Sequence, residues 1–166
     1  MLMYVDTNLF ESPAQVLVNT VNTVGVMGKG IALQFKKLYP AMFKEYQHLC
    51  ETGELTVGKL WIYKTNNKWI LNFPTKTDWR QKSKLEYIEQ GLQKFVETYK
   101  ERGIESIAFP QLGVGNGGLD WDREVKPLME KYLRKLPIDV YIHIYRQARN
   151  LPEFSNVGEI QSALLS

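Results

Sequence analysis

The sequence predicts an α/β protein, a three-layer α/β/α sandwich around a mixed β-sheet. Three observations carry that expectation. Apolar runs such as "AQVLVNT" (14–20) and "IESIAFPQL" (104–112) lack polar–apolar alternation, so they read as strands buried on both faces. Segments with apolar residues at helical spacing separate them, which is the pattern of helices covering a sheet. A hairpin signal, Asn66-Asn67 between "KLWIYKT" and "KWILNFP", adds one antiparallel pair.

The elements follow in order. "LMYVD" is a short apolar run, and the strand over 14–20 comes next. From Ile31 to Tyr39, Ile31, Leu33, Phe35 and Leu38 alternate with Gln34, Lys36 and Lys37 in a helix ended by Pro40. A second helix, Ala41 to Cys50, stops at Gly53. After the hairpin, Ser83 precedes Leu85, Ile88, Leu92, Phe95, Val96 and Tyr99, with Glu86 three residues on. That is the signature of a capping box opening a helix of about 17 residues. The strand over 104–112 leads to "GVGNGG", and Asp120 is placed to cap the helix "WDREVKPLMEKYLRK", whose start Pro127 should shift or kink. "IDVYIHIY" (138–145) is the last strand. The expected division is a folded domain over 1–146 and a tail or linker over 147–166 leading to a part not present.

Composition narrows the class. The chain has 166 residues, enough for one domain with a real core, and 44% are hydrophobic. No apolar run reaches the roughly 18–20 residues of a membrane span, and "MLMYVDTNLF" lacks the pattern of a signal peptide. Cys50 is the single cysteine, which excludes an internal disulfide and a multi-cysteine zinc site and suits a reducing compartment, so a cytoplasmic protein is expected. The net charge of +3 is mild. It is concentrated in "KTDWRQKSK" (76–84), where Lys76, Arg80, Lys82 and Lys84 face one anion, Asp78. An aromatic among cations suits a nucleic acid: Trp79 can stack a base while Arg80 and Lys82 meet phosphates. The same stretch also reads as a solvated turn before a helix.

Two glycine-rich turns, "GVMGKGIA" (25–32) and "GVGNGG" (113–118), each follow a buried strand and precede a helix. In open α/β sheets ligands bind at the carboxyl ends of strands, and glycines let backbone N–H groups approach phosphate oxygens. Neither turn is a Walker A loop or a dinucleotide fingerprint. A pair of phosphate-cradling loops suits a nucleoside diphosphate sugar. His48 and His143 fall in regular elements and in neither loop, which points to structural roles, and metal ligands are lacking.

With "VNTVNTVGVMGKGIALQFKKLYP", "LNFPTKTDWRQKSKLEYIEQGL" and "FPQLGVGNGGLDW" in view, the chain resembles a macrodomain, the ADP-ribose-binding α/β/α fold. Within that family it is similar to the branch of DNA ADP-ribosyl glycohydrolase antitoxins of the DarG type, related to the terminal ADP-ribose glycohydrolases. The resemblance implies contacts to ADP-ribose from Asn8 and Leu9, from Thr20, Asn22, Met27, Gly28, Lys29, Gly30 and Ile31, and from Thr75. It implies further contacts from Gln111, Gly113, Val114, Gly115, Asn116, Gly117 and Gly118. Asn22 would meet the distal ribose hydroxyls. Asn8 stands where the family often has an aspartate reading the adenine amino group, and its amide oxygen can accept that hydrogen bond without charge. Lys76 stands where this branch carries its catalytic lysine. Related hydrolases acting on glutamate carry an aspartate where this chain has Gly117.

The implied function is removal of ADP-ribose from thymidine bases of single-stranded DNA, opposing a DarT-type toxin. Breaking that N-glycosidic bond requires the departing base's charge to be neutralised and the oxocarbenium-like sugar to meet a nucleophile. Neither glycine loop contains Asp or Glu. Lys76 serves either as an ammonium stabilising the base or as a free amine attacking C1″, its pKa lowered by burial or by Arg80 and Lys82. The alternatives are a hydrolase acting on protein glutamate or aspartate, an ADP-ribose-1″-phosphate phosphatase, and a non-catalytic ADP-ribose reader. No cofactor is implied, since ADP-ribose is product or ligand, and a monomer without membrane attachment is expected.

Overall fold

A computed structural model describes residues 1–145. The expected tail over 147–166, with residue 146 before it, lies outside the described residues. Six strands, β1 (Leu2–Val5), β2 (Val16–Val21), β3 (Trp61–Lys64), β4 (Trp69–Pro74), β5 (Ser106–Pro110) and β6 (Asp139–His143), form one sheet in the order β1-β6-β5-β2-β4-β3. All neighbours are parallel except β3 and β4, the expected hairpin, in which Lys64 lies opposite Trp69. Thr65 closes its turn: the hydroxyl donates to Lys68 O at 2.6 Å and accepts from the Lys68 amide at 3.0 Å.

Alternate residues of the central strands feed two cores. Val16, Val18, Leu71, Phe73, Ile107 and Phe109 pack with Ile88, Leu92 and Phe95 of α3 (Leu85–Thr98) and Met129 and Leu133 of α4 (Lys126–Leu133). Leu17, Val21, Ile70 and Ala108 pack with Phe35 of α1 (Gly30–Leu38) and Met42 and Tyr46 of α2 (Pro40–Glu51). Burial on both faces explains the missing alternation, and each large side chain fully buried there contributes about 1.5–3 kcal/mol. Trp61, Trp69 and Trp121 are partly buried against these cores.

Three expectations change in detail. Pro40 begins α2 at a position whose missing N–H costs nothing, as well as ending α1. Asp120 caps a π turn (Trp121–Val125), accepting from the Arg123 amide at 2.8 Å, and α4 follows with Pro127 in its first turn. The capping box at Ser83 is overturned. α3 has 14 residues, its N-cap is Lys84 without a side-chain bond, and the Ser83 amide donates instead to Gly117 O at 2.9 Å.

Candidate active site

Five strands run parallel, so the loops after β1, β2, β4, β5 and β6 gather at one end of the sheet. The loop after β2 is braced from inside. Asn22, 7% exposed, accepts from the amides of Val24 and Val26 at 3.1 and 3.2 Å and donates to Val26 O at 2.7 Å. The Tyr46 hydroxyl lies 2.8 Å from both Asn22 Oδ1 and Asn22 O. Asn22 therefore holds the loop's shape, a task its sequence position did not reveal. Met27 anchors the loop in the α1/α2 core at 1% exposure, while Gly28, Lys29 and Gly30 are exposed. Gly30 takes φ +57, a left-handed conformation that side chains disfavour, and turns the chain into α1.

The remaining expected positions divide between cleft and core. Leu9 is buried in the α1/α2 core, whereas Asn8 caps the short 3-10 turn Leu9–Glu11, its Oδ1 accepting from the Phe10 amide at 3.0 Å. That oxygen keeps a second lone pair. Thr20 is half-buried in β2, Ile31 lies in the first turn of α1, and Thr75 is buried with its amide on Val21 O at 2.9 Å. Gln111 Oε1 accepts from the Tyr145 amide at 2.9 Å, tying the loop after β5 to the end of β6. Val114 packs on the α3/α4 core, Gly113 and Gly117 are buried, and Gly115, Asn116 and Gly118 are exposed.

Lys76 bridges the loops. Its Nζ donates to Asn116 O at 2.9 Å, and a Cβ on Gly30 would stand 3.6 Å from Asn116 Nδ2, so both glycine turns converge on Asn116. Burial and then the charge of Lys29 lower the Lys76 pKa. The expectation that Arg80 and Lys82 would do this is corrected. Arg80 donates to Asp78 through Nε at 3.0 Å and Nη2 at 2.7 Å, which drives the Asp78 carboxyl down to about 2. Lys82 runs along Gly118, where a Cβ would stand 3.4 Å from its Cδ. The charge partner that sequence reasoning missed is Lys29, which lies far away along the chain.

Trp79 is 48% exposed, with the Arg80 guanidinium 5.6 Å from its ring centroid. Thr23 donates to Thr77 O through both its amide and its hydroxyl, at 3.3 and 3.0 Å, so the first loop is stitched to the Lys76 segment. Val24, next to Thr23 in that loop, is 49% exposed. Among the described residues no His/Cys/Asp/Glu group is arranged to hold a metal. His143 Nδ1 meets Thr7 O at 2.8 Å beneath the loop after β1, a structural position.

An α/β/α sandwich around a mixed, mostly parallel sheet, with a loop-built cleft at the carboxyl end of its parallel strands, is thus the class that fold and site define. Residues 18–128 match the Macro domain family. The chain is 46% identical over 147 residues to the DNA ADP-ribosyl glycohydrolase of Mycobacterium tuberculosis (strain ATCC 25618 / H37Rv), covering 86% of this chain and 42% of that protein. It spans less than half the length of that relative. The macrodomain of Mycobacterium tuberculosis DarG superposes with a TM-score of 0.82 at 47% identity, covering 86% of this chain and 97% of that one. Thermosipho africanus DarTG in complex with ADP-ribose gives 0.82 at 39% identity, covering 99% of this chain and 46% of that one. The chain belongs to the macrodomain family, on its DarG-type branch. Among the described residues no helix is long and apolar enough to cross a membrane.

Proposed function

We propose that this protein is a cytoplasmic, monomeric hydrolase that removes ADP-ribose from thymidine bases of single-stranded DNA, as antitoxin to a DNA ADP-ribosyltransferase of the DarT type. The observation that carries the reading is Lys76 Nζ, 2.9 Å from Asn116 O, where both glycine turns converge. The likeness to a DNA ADP-ribosyl glycohydrolase and to DarTG in complex with ADP-ribose supports the same assignment. ADP-ribose lies along the turns at 28–30 and 113–118, with the adenosine end toward Asn8 and C1″ toward Lys76. Helix and loop N–H groups meet the diphosphate. Trp79 stacks the nucleobase at the rim, and Arg80 and Lys82 face the DNA backbone.

The reaction breaks the bond between C1″ and the base nitrogen. Its electron pair leaves with the base, Lys76 is the reacting side chain, and water ends as the new hydroxyl of free ADP-ribose. No cofactor takes part. The test is incubation of the native chain and a Lys76→Ala variant with an oligonucleotide carrying ADP-ribose on thymidine, beside a protein modified on glutamate. Loss of the DNA mark with the native chain alone establishes the reading. Retention of both marks, with ADP-ribose still bound in calorimetry, makes the domain a reader instead.

A further inference from the structure

Across residues 112–119 the loop after β5 carries one polar side chain, that of Asn116, set among Gly115, Gly117 and Gly118. The residue is exposed, and among the described residues its carboxamide has no hydrogen-bond partner. The amide nitrogen sits against Gly30 at the start of α1, where a Cβ would stand 3.6 Å away. The backbone carbonyl of the same residue holds Lys76 Nζ at 2.9 Å. A carbonyl and a carboxamide of one residue are only a few bonds apart, so a pyrimidine ring can touch the lysine and the free amide at once. Three polar side chains of the neighbouring segments are spent on the protein itself. Asn22 donates to Val26 O, the Thr23 hydroxyl to Thr77 O, and the Thr77 hydroxyl to Gln81 Oε1 at 2.8 Å. The carboxylates are engaged as well: Asp78 is held by Arg80, and Asp120 accepts from the Arg123 amide.

We infer that the Asn116 carboxamide is a catalytic donor: it hydrogen-bonds a carbonyl oxygen of the departing thymine and stabilises the charge that develops there. The inference rests on the proposed reading of this cleft as a site for ADP-ribose on thymidine. Thymine is joined to its own deoxyribose through N1, so the other ring nitrogen, N3, carries the ADP-ribose. N3 lies between two carbonyl carbons, and when the C1″–N3 bond breaks its electron pair spreads onto both oxygens. A single lysine reaches one of them. The other needs a donor that keeps its own proton and stays neutral, and an N–H of a carboxamide does both. Water gives its hydroxyl to C1″ and its proton ends on N3, so atoms and charge balance. The amide meets charge that exists only as the bond opens, which raises rate rather than affinity. In the proposed pose the diphosphate is met by backbone N–H groups and needs no side chain from this turn.

Asn116→Ala keeps the carbonyl that holds Lys76 and changes only an exposed side chain, so the fold and the lysine stay in place. With an oligonucleotide carrying ADP-ribose on thymidine, the single-turnover cleavage rate should fall about a hundredfold, while affinity for free ADP-ribose in calorimetry stays within about twofold. Asn116→Asp, which as a carboxylate can only accept, should be at least as slow. Replacing thymine by 5-fluorouracil, a more acidic base that leaves more readily, should narrow the Asn116→Ala deficit to about tenfold or less. An unchanged rate, a deficit equal for both bases, or a matching loss of ADP-ribose affinity overturns the inference and leaves the proposed function standing. A native chain that leaves the DNA mark in place overturns both.

Discussion

Ser83 lies directly beneath Gly117: its amide donates to Gly117 O at 2.9 Å, and a Cβ on Gly117 would stand 2.6 Å from Ser83 Oγ. The second glycine turn is thereby seated on Ser83, two residues before α3, and the slot admits no side chain. Gly117→Ala should lower stability by about 1–3 kcal/mol, because the site is overpacked. Adding Ser83→Gly should recover a large part of that loss. Denaturant melts of both single variants, the double variant and the native chain give the coupling, and a Gly117→Ala variant as stable as native would refute the close approach.

Within α3, Gly91 makes a similar demand. A Cβ on Gly91 would stand 2.2 Å from Phe73 Cζ, with both residues buried. Gly91→Ala should cost more than about 3 kcal/mol, visible as a much lower thermal midpoint, although alanine is ordinarily the better helix former.

Tyr46 carries the shape of the first loop from α2. Tyr46→Phe removes the hydroxyl 2.8 Å from Asn22 O and Oδ1. The expected loss is about 1–2 kcal/mol of stability, together with weaker ADP-ribose binding, while Lys76 keeps its place on Asn116. Calorimetry with ADP-ribose separates the two effects.

Acid should destabilise the fold through His143. Burial pulls its pKa below 6.5, although the bond to Thr7 O opposes this, and Nε2 is buried without a partner among the described residues. The unfolded chain therefore takes the proton first as pH falls. Stability is full above about 6.5 and declines below it until the lower folded pKa is passed. His143→Asn, which can still donate to Thr7 O, should flatten that limb of a stability–pH curve. An unchanged limb would place its origin elsewhere.

A Trp79 variant tests the proposed DNA contact apart from the ADP-ribose contact. Trp79→Ala should weaken binding of an ADP-ribosylated oligonucleotide by about tenfold, the worth of one stacked base, and leave affinity for free ADP-ribose unchanged. Equal weakening of both would make Trp79 part of the sugar site.

Much of this was legible in the chain because local signals and tertiary demands agree. Doubly buried strands read as unbroken apolar runs, Asn66-Asn67 marks the hairpin, and the glycine turns announce the carboxyl end of the sheet. Ser83 shows where such reading fails. Its spacing to Glu86 is a correct local signal for a cap, yet the loop after β5 takes its amide, and that loop is remote in sequence. Asn22 fails similarly, since its bonds depend on Tyr46 of α2. The Lys29–Lys76 relationship has no local signature, because it arises where loops from different strands converge. Arg80 and Lys82, nearer to Lys76 along the chain, are turned to Asp78 and Gly118.

The pairing of β1 with β6 sets Leu2 beside Val140 and Val5 beside His143. Within this domain β1 thus has no partner in the sheet until β6 has been synthesised. Closing so long a loop is among the slower steps of folding. The segment carrying Thr7 and Asn8 is held through His143, so this corner of the cleft is finished last. A nascent chain that has shaped both glycine turns still lacks this corner until β6 is in place.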